Sequence, residues 1–227
     1  MAMFYELAPD GDILLLLYKE PQEAKGSGEA GSNAHTSRPD TEIKRENPDE
    51  AAQSTERPVR MRVSSSHLVL ASVRFKEMVS DNRRKEPGLR DGQPLEIKIT
   101  NWEPISSLIL MNIIHGRTSD IPRQVTLDVL CDIALLVDHY ECQEVVGIMS
   151  EMWIKQESTA LPKCFLDKVV TWIWIAYVFH QEDVFKHMTQ LAIQSSTVKI
   201  DAHGLPIPER IISKSTKSSF PMDASLF

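Results

Sequence analysis

The side chains with the most chemical potential crowd into a few short stretches. The densest runs from Ile113 to Val125, IIHGRTSDIPRQV, and holds His115, Arg117, Asp120 and Arg123 between two apolar runs. An imidazole beside a carboxylate suits proton transfer, and paired guanidiniums suit a phosphate. No nucleophile motif accompanies them, however, and basic groups at a helix C-terminus are what the helix dipole favours, so the cluster reads first as a joint between helices. His139 and Cys142 stand three residues apart and could touch one metal. Two ligands fall short of the four that a structural zinc site takes, and neither Cys131 nor Cys164 is placed to complete the set. The pair reads as a helix end with a buried thiol.

Three further stretches carry less. Ser64 to His67 sets serines beside a histidine, but neighbours along a chain do not form a triad, and serines before an apolar run are helix caps. The glycines of GSGEAGS, Gly26 to Ser32, lack the lysine–hydroxyl ending and the strand-to-helix setting of a phosphate loop. Ile43-Lys44-Arg45-Glu46 matches the short pattern that attracts a small ubiquitin-like modifier at Lys44, and equally an ordinary solvated charge cluster. No cofactor or metal is implied. An enzyme joining His115, Asp120 or His139 across the fold is the alternative that geometry must test.

The chain has 227 residues, 42% of them hydrophobic, enough for one domain with a smaller appended one. A formal charge of −7 argues against a direct nucleic-acid binder, which needs a basic face. Three cysteines at irregular spacing fit a reducing compartment rather than a disulfide framework. The acidic N-terminus lacks a basic leader region, so an intracellular protein, cytoplasmic or nuclear, is expected. The run VVTWIWIAYVFH, Val169 to His180, falls short of the roughly 20 apolar residues of a membrane span and predicts a buried helix instead.

The elements that must position these groups follow from periodicity. ILLLLY, Ile13 to Tyr18, predicts a buried strand, and VRMRVS and LEIKIT alternate apolar and polar residues as half-buried strands. Between the first two, about 20–58, the composition turns polar with Ile43 as the one bulky aliphatic, which predicts a disordered insertion in a hairpin. Its closure cost grows only with the logarithm of its length. HLVLAS and VRFKEMVS predict two short helices, the second with Phe75, Met78 and Val79 inward, followed by a charged loop NRRKEPGLRDGQP. Asn101 reads as the cap of a helix ending at Gly116, and Thr126 as the cap of a central helix. Helices over about 143–155, 169–180 and 183–195 follow, then a turn at Pro208 and a flexible tail over 214–227.

Strand, interrupted hairpin, strand, helix pair, strand and helices, in that order, resemble the BTB/POZ domain, a protein-interaction fold. The resemblance rests on VSSSHLVLASVRFKEMVS, where His67, Leu68, Leu70, Ala71, Ser72 and Phe75 match the family's helical hairpin, and on IIHGR…P…V…L…A.L.D.Y.C beyond it. That second pattern, with WIWIAYVFHQEDVFKHMTQLAI and LPIPERI, is similar to stand-alone BTB proteins common in filamentous fungi. The resemblance implies an α+β, predominantly helical fold: a small sheet of about three strands on a helical cluster over 1–155, then a helical extension over 156–213. It implies a non-enzymatic interaction module, a scaffold or substrate adaptor for a cullin-type ubiquitin ligase, or alternatively a transcription co-regulator acting through protein contacts. Leu89 and Asp91 match a cullin-docking hydrophobic-x-acid triplet, with Phe75 and Met78 as further partner-facing candidates. Only about a dozen residues precede Ile13, too few for the helix and linker that help some members form a homodimer.

Overall fold

Phe4–Glu6 (β1), Ile13–Tyr18 (β2), Val59–Val63 (β3) and Leu95–Thr100 (β4) form one sheet in the spatial order β1-β3-β2-β4. The computed structural model describes residues 3–18, 58–86, 88, 92–157, 166–195, 202, 204–209 and 211. The sheet is larger than the three strands expected. The addition is β1, whose three residues are too few and too exposed to show a period-two pattern. It is fixed from outside: it pairs parallel with β3, Leu7 N–H donates to the Arg62 carbonyl at 3.0 Å, and Arg117 Nη1 reaches the Glu6 carbonyl at 3.0 Å.

Strand β2 is flanked by β3 and β4, and Ile13 through Leu17 are all buried. It pairs antiparallel with β3, Leu17 opposite Val59 and Ile13 opposite Val63, and parallel with β4, Ile13 opposite Leu95. Gly11 lies just before it, where a Cβ would sit 2.6 Å from the Val63 carbonyl oxygen. Only the bare backbone fits there.

The connection from β3 across β2 to β4, which runs antiparallel to β3, passes through the hairpin of Ser65–Ala71 (α1) and Val73–Lys85 (α2). Helix α2 continues past the point where the sequence suggested a loop at Asn82. Arg83, Arg84 and Lys85 fill its last turn, where cations complement the exposed carbonyls. Pro104–Ile114 (α3) starts three residues later than Asn101, because the proline takes the first helical turn and Asn101 turns into the left-handed region at φ 68°. Gly116, at φ 66°, ends it as anticipated, with Arg117 N–H donating back to the Asn112 carbonyl.

A 3-10 turn at Thr118–Asp120 then leads to Leu127–Tyr140 (α4), capped by the Thr126 hydroxyl. Gln143–Glu157 (α5), Leu166–Val178 (α6) and Glu182–Ser195 (α7) complete the set. Helix α4 packs against α2, α3, α5 and α6, which explains its nearly all-round apolar sequence. One apolar core runs from the sheet through Trp153 on α5 to Trp174 and Phe185 on α6 and α7. The fold is α+β and mostly helical. Among the described residues no helix is long and apolar enough to cross a membrane. The insertion expected at about 20–58, save Pro58, and the tail over 214–227 lie outside the described residues.

Candidate interaction surface

His115 follows α3 directly, and both of its ring nitrogens are engaged by backbone. Ser64 N–H donates to Nε2 at 3.0 Å, and Nδ1 donates to the Met111 carbonyl at 2.8 Å. That pattern requires the neutral imidazole. Burial is the main cause that holds its pKa below the ordinary 6.5, and the neighbouring His67, stacked at 5.0 Å between ring centroids, and Arg117 push the same way. The ring therefore ties the end of α3 to the start of α1 and offers no nitrogen for proton transfer. Arg117 and Asp120 pair with each other at 2.8 Å. Arg117 also secures β1, so in the opening cluster His115, Arg117 and Asp120 are spent on backbone and on one another, while Arg123 is exposed.

The second candidate pair also separates. The His139 ring packs on Trp102 and edge-on against Tyr140, whereas the Cys142 thiol is buried and turns to the Val137 carbonyl, 4.0 Å away. Burial pushes Cys142 up to about 12, far from the thiolate that metals and electrophiles require. Among the described residues no three His, Cys, Asp or Glu side chains converge to hold a metal. Cys164 and Lys44 lie outside the described residues.

What the tethers hold in place is the α1–α2 hairpin. Ser64 occupies the N-cap position of α1, but its side chain makes no cap bond. The cap comes from Asp12 at the mouth of β2: its carboxylate accepts the Ser65 N–H at 2.8 Å and the Ser65 hydroxyl at 2.7 Å, and pairs with Arg83 at 2.6 Å. Burial pushes the Asp12 carboxyl up, but the bonds from Ser65 and the charge of Arg83 outweigh it and leave the group below the usual carboxylate range. Ser72 caps α2, accepting from Arg74 and Phe75 N–H while its hydroxyl donates to the Tyr140 carbonyl at the end of α4. The caps expected from the serines Ser64 to Ser66 are thus supplied in part from elsewhere: Asp12, whose partner Ser65 is 53 residues away in sequence, caps α1.

Phe75 is wholly buried and stacks on Tyr140 at 4.2 Å, so it supports the hairpin from beneath instead of facing a partner. Its outer side instead shows Leu70, 88% exposed, and Val73, 65% exposed, with Val69 beside them. These aliphatics face solvent beside Ser72, which caps α2. No protein-family model matches the chain, and no curated protein matches its sequence. The interaction reading therefore rests on the residues alone.

A second exposed feature is an open groove of about 1010 Å³ between α2, β4 and the α4–α5 junction. Met78 lines it, half-buried, with Ile99 and Trp102. Four acids, Glu77, Asp81, Asp138 and Glu141, face two bases, Arg74 and Lys98. Arg74 pairs with Glu141 at 2.9 Å, and Asp81 with Arg84 outside the groove. The Asp138 carbonyl accepts the Glu141 N–H, but its carboxylate makes no hydrogen bond or ion pair among the described residues. Burial, with Glu141 adding to it against the pull of His139, raises its pKa. Glu141 and Asn101, two of the three described non-glycine residues with left-handed backbone, both line this groove. Leu89 and Asp91 lie outside the described residues.

Proposed function

We propose that this protein is a non-enzymatic interaction module of the BTB/POZ type, which presents a preformed hairpin and groove to other proteins. The observation that carries the reading is the contrast within the hairpin: Leu70 and Val73 face solvent while Ser72 and Phe75, next to them in sequence, are locked to Tyr140. Holding the anchors rigid lowers the entropy lost on binding, which is how a small apolar patch gains affinity. The engagement of both His115 nitrogens by backbone speaks against a site built on that residue. A cullin-type ligase scaffold is the partner that the resemblance suggests, with Leu89 and Asp91 as contact residues, and adaptor the corresponding role.

Affinity purification from the native host followed by mass spectrometry tests this. The intact chain is compared with Leu70→Ser/Val73→Ser and with Leu89→Ala/Asp91→Ala. Recovery of a cullin with the intact chain and its loss with Leu89→Ala/Asp91→Ala supports the adaptor role. Recovery of no protein by any form overturns the module itself.

A further inference from the structure

The groove has one property that its lining residues disclose only when read against strand geometry. Ile97, Lys98, Ile99 and Thr100 all line it, yet consecutive strand residues point to opposite faces of a sheet. What four consecutive residues share toward one side is the strand edge. Strand β4 has β2 as its sole neighbour among the described strands, so its other edge is unpaired among the described residues.

Its polarity follows from one bond. Leu95 N–H donates to the Asp12 carbonyl at 2.8 Å, and the register with β2 runs without a slip to Thr100. By alternation Leu95, Ile97 and Ile99 address β2. Glu96, Lys98 and Thr100 turn their N–H and C=O groups outward. Edge strands are usually blunted by brevity, proline, a bulge or charged side chains; β4 has six residues with no proline, and its charges are Glu96 and Lys98.

The charge beside the edge is also unbalanced. Arg74 bonds Glu141 and also attracts Glu77, and Asp81 pairs with Arg84, so the four acids of the lining outnumber its two bases, and the Asp138 carboxylate has only the attraction of His139 beside it. Met78, Ile99 and Trp102 supply apolar floor below.

We propose that the free edge of β4 takes an extended peptide as a further strand, and that the peptide it fits alternates apolar with basic residues. The main-chain bonds to Glu96, Lys98 and Thr100 supply affinity, the apolar floor takes every second side chain, and Asp138 and Glu77 select the basic ones. This deepens the interaction reading above by naming the chemistry of one partner segment.

The test is a titration of the full chain with an acetylated, amidated heptapeptide of alternating valine and lysine, followed by fluorescence anisotropy. Saturable binding is expected, at least about tenfold tighter than for the valine–glutamate counterpart. Two N-methylated versions, blocking the donors of one peptide edge or the other, must then differ: one loses at least about tenfold and the other binds as before, because only one edge meets β4. On the protein side, Lys98→Pro removes an outward N–H at an edge position that tolerates proline. It also removes a positive charge, which by electrostatics alone would tighten a basic peptide. Loss of binding in Lys98→Pro, with retention in Lys98→Ala, supports strand addition. Equal binding of both N-methylated peptides, equal binding of the acidic peptide, or no saturation by the valine–lysine peptide overturns it. The N-methylated pair decides alone where Lys98→Pro fails to fold. Failure here alongside a partner recovered by the intact chain rejects the strand site only; recovery of no partner rejects the module.

Discussion

The junction of β3, α1 and α3 and the groove along β4 carry similar kinds of residues and resolve them in opposite ways. At the junction, Asp12 is met by Ser65 and Arg83, and His115 is bonded at both nitrogens. In the groove, the Asp138 carboxylate has no hydrogen bond or ion pair, and one edge of β4 is unpaired, among the described residues. A polar group with a complete set of partners contributes to the fold and has nothing left to offer a ligand; one without partners is already desolvated at a cost that a ligand can relieve. Residue type therefore points to neither role. Partner count separates them.

The comparison breaks most sharply if the junction and its support are dispensable. Phe75→Ala removes a wholly buried ring stacked on Tyr140 and is expected to cost about 3–5 kcal/mol in denaturant unfolding. A loss below about 1 kcal/mol would mean that the hairpin is not anchored as described. Asp12→Ala comes next: it deprives α1 of its cap, for an expected loss of about 1–2 kcal/mol, with the exposed part of the Arg83 pair adding little. Since the Asp12 pKa is lowered on folding, this contribution is present above the ordinary 3.8 and fades as pH falls through the folded value. The variant should thus differ least from the parent in strong acid.

His115 sharpens the same contrast through its titration. Its folded pKa lies below 6.5, so its stabilising effect is complete above that value and is lost as pH falls through the lowered one. Thermal unfolding at pH 7.5 and 5.5 should show a drop in the parent that shrinks in His115→Gln. Equal slopes would remove the neutral-tether account. The smallest expected effect is in the opposite direction. Burial, aided by Glu103 and Asp128, raises the pKa of Asp132 despite the Ser106 hydroxyl, so its ionised form opposes folding at neutral pH. Asp132→Asn should raise the melting temperature by about 1–3 °C at pH 7 and by nothing near pH 3, where both states are protonated.

Much of the frame was legible from local pattern. Alternation gave β3 and β4, Thr126 and Gly116 gave the ends of the helices they flank, and the all-apolar circumference of α4 foretold its central place. Strand β1 was not legible, because three residues held by Arg117 and β3 carry no periodic signal of their own. The last turn of α2 resembles a loop in sequence because charged residues suggest solvent, and here they suit the carbonyl end of the helix as well. Of the candidate site, the exposed hairpin aliphatics could be named from sequence but not their direction. The groove could not be foreseen, since it joins α2, β4 and the end of α4, which only tertiary packing brings together.

Leu17 stands opposite Val59, so the chain leaves the sheet after β2 and rejoins it at the adjoining place on β3. For protein engineering this is a natural splice port. A short hairpin loop joining Tyr18 to Val59 would have both ends entering a register that β2 and β3 already fix. Lengthening the connection carries an entropic cost that grows only as the logarithm of its length.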